Sequence, residues 1–185
     1  MLLRILAMRL RGVDIAWSAR VERGVRVGRG VAIGKRACLQ KEALIDGNVE
    51  IGDETTIGAY SMISTMPQGR VKIGNRVLVN AFSTIGAAEK VVIGNDCIFA
   101  AYLQITDAEH GFSDPDVLIR EAPWSTSPVV IEENVWIGAQ VVVLKGVRIG
   151  RGSVIGAKSL VNKAVPAGSV AYGVPCRVRY RRKEE

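Results

Sequence analysis

One imidazole stands alone in this chain: His110 is the only histidine among 185 residues. It lies in Asp107-Ala108-Glu109-His110-Gly111, with one carboxylate directly before it and another three residues back. Histidine titrates near working pH, so it suits the removal of a proton from a hydroxyl that is about to attack. A carboxylate on the other ring nitrogen can fix tautomer and orientation. Asp107 or Glu109 can fill that role, as can a backbone carbonyl, and both residues equally fit a solvated acidic loop. Zinc sites built from several histidines are excluded by there being one, and no metal is expected. The three cysteines, Cys38, Cys97 and Cys176, are widely spaced and show no ligand pattern. Their odd number and spacing fit a reduced, cytoplasmic setting. No cysteine or serine has a nucleophile's surroundings, so no acyl-enzyme is expected.

The elements that must carry His110 are announced by a period of six. Aliphatic residues fall at Val21, Val27, Ile33, Leu39, Ile45, Ile51, Ile57 and Ile63. After a slip of four residues the rhythm resumes at Ile73, Val79 and Ile85, and after a slip of two at Ile93, Phe99 and Ile105. Beyond an excursion over 106–130 it continues at Ile131, Ile137, Val143, Ile149, Ile155 and Val161, for 20 hexads in all. Such a period is neither helical nor simply alternating. It means that each short strand makes one inward aliphatic contact and then the chain turns. Glycine often follows the aliphatic, as at Gly28, Gly34, Gly52 and Gly58, relieving crowding near the turn. A small or branched residue often stands two places earlier, as at Ala37, Thr55 and Ser61. Stacked turns bury one continuous aliphatic column, which is a β-solenoid. The histidine therefore sits where a regular scaffold interrupts itself.

Composition agrees. Hydrophobic residues make up 48% of the chain but aromatics only 5%, with 20 glycines, a mixture that favours stacked β structure over a helical bundle. No apolar run reaches the ~20 residues needed to span a bilayer. Residues 1–16 read as a short amphipathic helix, with Leu2, Ile5, Leu6 and Leu10 on one side and Arg4 and Arg11 around it. Such a helix either caps the open end of the solenoid or touches a membrane surface. The net charge of +7 is drawn partly from the N-terminal arginines and partly from Arg177, Arg179, Arg181, Arg182 and Lys183. Nucleic acid is not an expected partner, because no recognisable binding motif accompanies these charges. The boundaries are a cap at 1–20, the repeat at 21–166 with its insertion, and a C-terminal extension with a basic tail at 167–185.

The stretches Val135-Trp-Ile-Gly-Ala-Gln-Val-Val-Val-Leu-Lys-Gly-Val-Arg-Ile-Gly150, Val154-Ile-Gly-Ala-Lys-Ser-Leu-Val-Asn-Lys163 and Tyr172-Gly-Val-Pro-Cys-Arg-Val178 carry a resemblance. They are similar to the hexapeptide-repeat acyltransferases, in particular the galactoside, maltose and polysaccharide O-acetyltransferases. The resemblance implies an all-β fold: a left-handed parallel β-helix of triangular section, here of six to seven coils, with a short N-terminal helix and a protruding loop. It makes His110 the catalytic base. It places Asn80 in the acceptor site, although Ala81-Phe82-Ser83 lacks the second asparagine common there. It implies acetyl-CoA as the acyl donor, bound by Ala139, Ala157, Asn162, Lys163 and Arg177. Where relatives carry a second arginine three residues on, this chain has Tyr180, so a second phosphate contact is not assigned. Trp136 either lines that groove or packs at an edge, and Phe112 and Trp124 of the excursion either stack on a sugar or pack on a neighbouring subunit.

Counting hexads adds geometry. Four steps separate Val79 from Ile105, which is one coil plus one face, provided that the slip before Ile93 bulges outward. Asn80 and His110 then leave different faces of one chain, are poorly placed to meet within it, and could meet across two subunits. This fits the homotrimers typical of the family. The expected activity is transfer of acetyl from acetyl-CoA to a hydroxyl of a small-molecule sugar or glycan precursor, by direct attack on the thioester. The alternatives are N-acetylation of an amino sugar or antibiotic-like acceptor, and a non-catalytic trimeric scaffold.

Overall fold

The computed structural model describes residues 2–182, so Lys183 of the basic tail lies outside the described residues, as does the side chain of Leu2. The all-β fold expected from the repeat is what forms. Three parallel sheets wrap one core. Sheet I holds seven strands, from Asp14–Ile15 to Arg148–Ile149. Sheet II holds nine, from Arg20–Val21 to Ser169–Tyr172 and then Arg177–Arg181. Sheet III holds seven, from Arg26–Val27 to Leu160–Val161. The chain visits them in the order I, II, III throughout the repeat, and its successive coils make a solenoid of about eight turns.

Register follows from the interior. Ile33 pairs with Ile51, Ile51 with Ile73, Ile73 with Ile93 and Ile93 with Ile131, one aliphatic above the next. Both slips and the long excursion leave that column in phase, because all the extra residues lie outside it. Most rungs bury two residues rather than the one expected, the Val25 and Val27 rung being only partly buried at both. Ala37, Thr55 and Ser61, two places before Leu39, Ile57 and Ile63, are as buried as the aliphatics themselves. Where the second residue is polar, its hydroxyl serves the backbone of the next coil: Thr55 donates to the Gly74 carbonyl at 2.7 Å and accepts from the Val77 N–H at 3.1 Å. The glycine after the aliphatic is required by close approach. A Cβ at Gly138 would stand 2.6 Å from the Ala157 backbone nitrogen one coil on.

The repeat extends past both ends of the counted column. The helix Leu2–Leu10 ends before residue 16, and the first rung is Asp14–Ile15, one step before Val21. Ile5 is fully buried and Met8 packs on the core, so the helix caps the N-terminal end of the column. At the other end Val165 bridges to Ile149, and Ala171 stacks on Ile155. These added rungs account for the difference between about eight turns and the six to seven expected. The last strand turns antiparallel on Ser169–Tyr172 and covers that edge of sheet II.

Candidate active site

The three corners of the prism carry different chemistry. Between sheets I and II the turn residues in the left-handed region are Arg36, Glu54, Arg76, Asp96 and Asn134. Arg36 pairs with Glu54, and Arg76 with Asp96 at 2.6 Å. Between sheets II and III the same position is held by Glu42, Tyr60, Phe82, Tyr102, Gln140 and Lys158. Tyr60, Phe82 and Tyr102 stack with ring centroids 5.3 and 5.1 Å apart. Between sheets III and I fall both slips and the excursion, on three successive coils.

The excursion is an arm. It leaves sheet III after Gln104–Thr106 and pairs Ala108–Glu109 antiparallel with Ser125–Thr126 before the chain enters sheet I at Val129. Pairing extends past His110, where the Gly111 N–H donates to the Pro123 carbonyl at 3.1 Å. The Trp124 ring lies against the imidazole, with centroids 4.3 Å apart and planes tilted by 52°. Trp124 also lines a cleft of about 200 Å³ together with Ser64, Thr65, Met66, Ala87 and Thr106. The imidazole thus packs on Trp124, which lines a small, largely apolar cleft where three coils meet the arm.

The two neighbouring carboxylates are occupied elsewhere in this chain. Asp107 is fully buried and accepts three backbone N–H groups, from Ala88 at 2.7 Å, Glu89 at 2.9 Å and Lys90 at 2.5 Å. It fastens the root of the arm to the coil before it. Glu109 pairs with Lys145 at 3.1 Å. Neither is hydrogen-bonded to His110 among the described residues, so the orienting role expected for them is not what their contacts serve. Trp124 and the arm ladder hold the ring. Lys145 was not expected. Its ammonium reaches Glu109 on one arm strand and donates to Ser125 on the other at 2.7 Å, and those two residues face each other across the ladder. Register could have revealed it: Ile105 pairs with Val143 and Val143 with Val161, so Asp107, Lys145 and Lys163 occupy one stacked position.

The remaining expected residues fall into two groups. Asn80 follows the sheet II strand Leu78–Val79 and so lies at the leading edge of sheet III, with Ala139 and Ala157 at the same edge. Asn162 and Lys163 follow Leu160–Val161, at the trailing edge that also carries the arm. Sheet III separates Asn80 from His110 within one chain. The slip before Ile93 does not shift the face, since Lys90–Ile93 joins sheet I as the count required. The Asn80 carbonyl accepts from Ser61 at 3.1 Å and Ser83 at 2.8 Å, and its side-chain oxygen accepts from the Ala81 N–H at 2.8 Å. Its amide NH₂ has no partner among the described residues. Arg177 is exposed on the last strand, beside Tyr172, and Trp136 is half exposed on sheet II.

The thiols stand apart from this chemistry. Cys97 is buried, and desolvation pushes its pKa up to about 11, so it stays protonated and unreactive. Burial raises Cys38 and Cys176 as well. No group of three or more His, Cys, Asp or Glu side chains among the described residues could hold a metal ion.

A parallel three-sheet β-helix that interrupts itself to raise one histidine on an arm defines a hexapeptide-repeat transferase, and the chain belongs to that family. Residues 128–163 match the family described as bacterial transferase hexapeptide (six repeats). The chain is 34% identical over 140 residues to the protein named "Putative lipopolysaccharide biosynthesis O-acetyl transferase WbbJ" of Escherichia coli (strain K12); the match covers 72% of this chain and 71% of WbbJ. It resembles the solved hexapeptide-repeat acetyltransferase VCA0836 of Vibrio cholerae at 29% identity and TM-score 0.54, over 82% of this chain and 73% of that one. The fold is shared with the N-acyltransferase AntD of Bacillus cereus, solved with dTDP and 3-hydroxybutyryl-CoA, at 19% identity and TM-score 0.65 over 98% and 88% of the two chains.

Proposed function

We propose that the protein is an acetyl-CoA-dependent O-acetyltransferase acting on a sugar hydroxyl, free or in a glycan precursor of polysaccharide biosynthesis. The observation that carries this is the placement of the sole histidine, on an arm beside a small cleft, in a chain of this family. A ring nitrogen of His110 takes the proton as the acceptor oxygen attacks the thioester carbonyl carbon. A tetrahedral oxyanion forms, a backbone N–H stabilises it, and collapse breaks the carbon–sulfur bond. The imidazolium returns its proton to the leaving thiolate. The acyl donor enters as a substrate. The residues fit it by character: Lys163 and Arg177 are exposed cations for its phosphates, and Ala139 and Ala157 are small residues beside which a backbone group stays accessible. Asn162 lies beside Lys163 at the same edge.

The complete site is shared between copies in a homotrimer. Asn80 and His110 lie at opposite edges of sheet III, so a neighbouring copy must bring one to the other. The arm also exposes Phe112, Leu118 and Ile119, at 71, 58 and 60% of their surfaces. An apolar group of that kind fits against another chain. Heterologous contacts of one edge on another close into a ring.

The test is thiol release from acetyl-CoA with a panel of sugars and amino sugars. His110→Ala should lose roughly 100-fold or more of kcat. Equal rates for the two proteins would sink the base assignment, and faster reaction of amines would move the reading to N-acetylation. Mixing inactive His110→Ala with Asn80→Ala and reassembling them should restore part of the activity, because some sites then receive one intact residue from each copy. An active monomer at assay concentration would overturn the shared site.

A further inference from the structure

The N-terminal cap has two faces, and only one is used by the fold. Ile5 is fully buried and Met8 packs on the core, while Leu3 and Leu10 are 82 and 80% exposed and Leu6 is 43% exposed. Trp17, on the first coil, is half exposed, and the Arg9 guanidinium lies 5.1 Å over its ring. A helix of nine residues in a chain whose core is otherwise sealed has no packing reason to present three leucines outward.

Charge is concentrated at the same end. Residues 2–36 contain nine Lys and Arg and two Asp and Glu, a difference of seven that equals the +7 of the whole chain. Everything after residue 36 is therefore balanced overall. Among the described residues, only Arg36 of these nine cations forms an ion pair. Arg9 is committed to Trp17 and to the Ile15 carbonyl. Arg4, Arg11, Arg20, Arg23, Arg26 and Arg29 surround the end of the prism. The helix itself contains no acidic residue.

We infer that the helix Leu2–Leu10 docks the N-terminal end of the solenoid on an anionic lipid surface. The leucines and Trp17 enter the boundary between headgroups and acyl chains, and the arginines meet the lipid phosphates. Outward leucines flanked by unpaired arginines, with an aromatic ring at the margin, are what an interfacial helix requires. Nucleic acid would use the charge and leave the leucines in water. A second copy would cover the leucines but would bring two uncompensated cationic ends together. The contact is peripheral: no described helix is long and apolar enough to cross a membrane. This inference is independent of the acyl-transfer reading, because it is read without an acyl donor.

The experiment is co-sedimentation of the whole protein with vesicles of phosphatidylcholine containing roughly one-fifth phosphatidylglycerol, against pure phosphatidylcholine vesicles. Binding to the anionic vesicles should be stronger by about tenfold or more at low salt and fall as salt rises. Leu3→Gln with Leu10→Gln changes only exposed side chains, conserves charge and keeps good helix formers. That variant should lose most of the binding while keeping the wild-type Tm. Arg4→Gln with Arg11→Gln should weaken binding to the anionic vesicles by about tenfold or more and leave binding to pure phosphatidylcholine unchanged. Three results would each overturn the inference: equal binding to both vesicle types, undiminished binding by the leucine variant, or a lipid-free assembly that the leucine variant dissolves. Tighter binding to duplex DNA than to the anionic vesicles, unaffected by the leucine changes, would do the same.

Discussion

The corner between sheets I and II and the corner between sheets III and I are built from the same repeat, yet they are used in opposite ways. The first turns with the same short connection on every coil and ties neighbouring coils through exposed pairs such as Arg76 with Asp96. The second varies its length on three successive coils and buries Asp107 to do so. The difference shows where a solenoid can accept an insertion. The aliphatic column sets the register, so a corner can lengthen freely while the strands on either side of it stay in phase. It also shows that surface charge is a small part of the scaffold, whereas a buried acceptor at the root of the arm is a large one.

The strongest way to break this contrast is Asp107→Ala. Three backbone N–H groups at residues 88–90 would lose their acceptor in a partly buried turn. The expected loss is about 3 kcal/mol, seen as a Tm lower by roughly 10 °C. A Tm within a degree of wild type would mean that water satisfies the turn and that the arm needs no anchor. Lys145→Met is the next test. It keeps the length of the stem but removes the ammonium that joins Glu109 to Ser125. The expected result is a fall in kcat of roughly 3- to 30-fold with Tm little changed, since a loosened arm misplaces His110, the base of the proposed reaction. Unchanged kcat would show that Trp124 and the ladder suffice.

The smallest effect belongs to the other corner. Arg76→Ala should leave kcat unchanged and lower Tm by only about 1–2 °C, as exposed pairs contribute little. Its pH dependence has a definite sign. The hydrogen bond from Arg76 holds the Asp96 carboxyl below the usual range, against a weaker desolvation effect. A depressed carboxyl stabilises the fold above its unfolded pKa and loses that contribution as pH falls through its folded value. The narrow gap between wild type and variant should therefore close as pH drops below about 3.9, which thermal melts across that range would record.

How much of this was readable in the chain depends on what fixes each part. The column from Val21 to Val161 was legible because its period is imposed by stacking alone. The first and last rungs were not. Ile15 is followed by Ala16-Trp17 rather than glycine, Val165 comes after a step of four, and Ala171 puts a small residue where an aliphatic is expected. The place of His110 on an insertion was legible because it is the one histidine and falls outside the rhythm. The work of Asp107 was hidden because its three donors lie a coil away, 17 to 19 residues back. Lys145 was hidden for the same reason, on the coil after the arm. Both are contacts between coils, invisible along the chain until the rungs are laid over one another.

That overlay also turns sequence position into height. Each coil rises by the spacing between hydrogen-bonded strands, about 4.8 Å. The arm leaves the fifth coil, so its root stands roughly 20 Å along the axis from the first coil, which the helix closes. The prism is a ruler with a stop at one end and a pointer partway up. Deleting or adding one whole coil between Val21 and Ile63 would move the pointer by one fixed increment without altering the chemistry at its tip. The length of acceptor within reach of an enzyme held at its capped end would then change in steps of the same size.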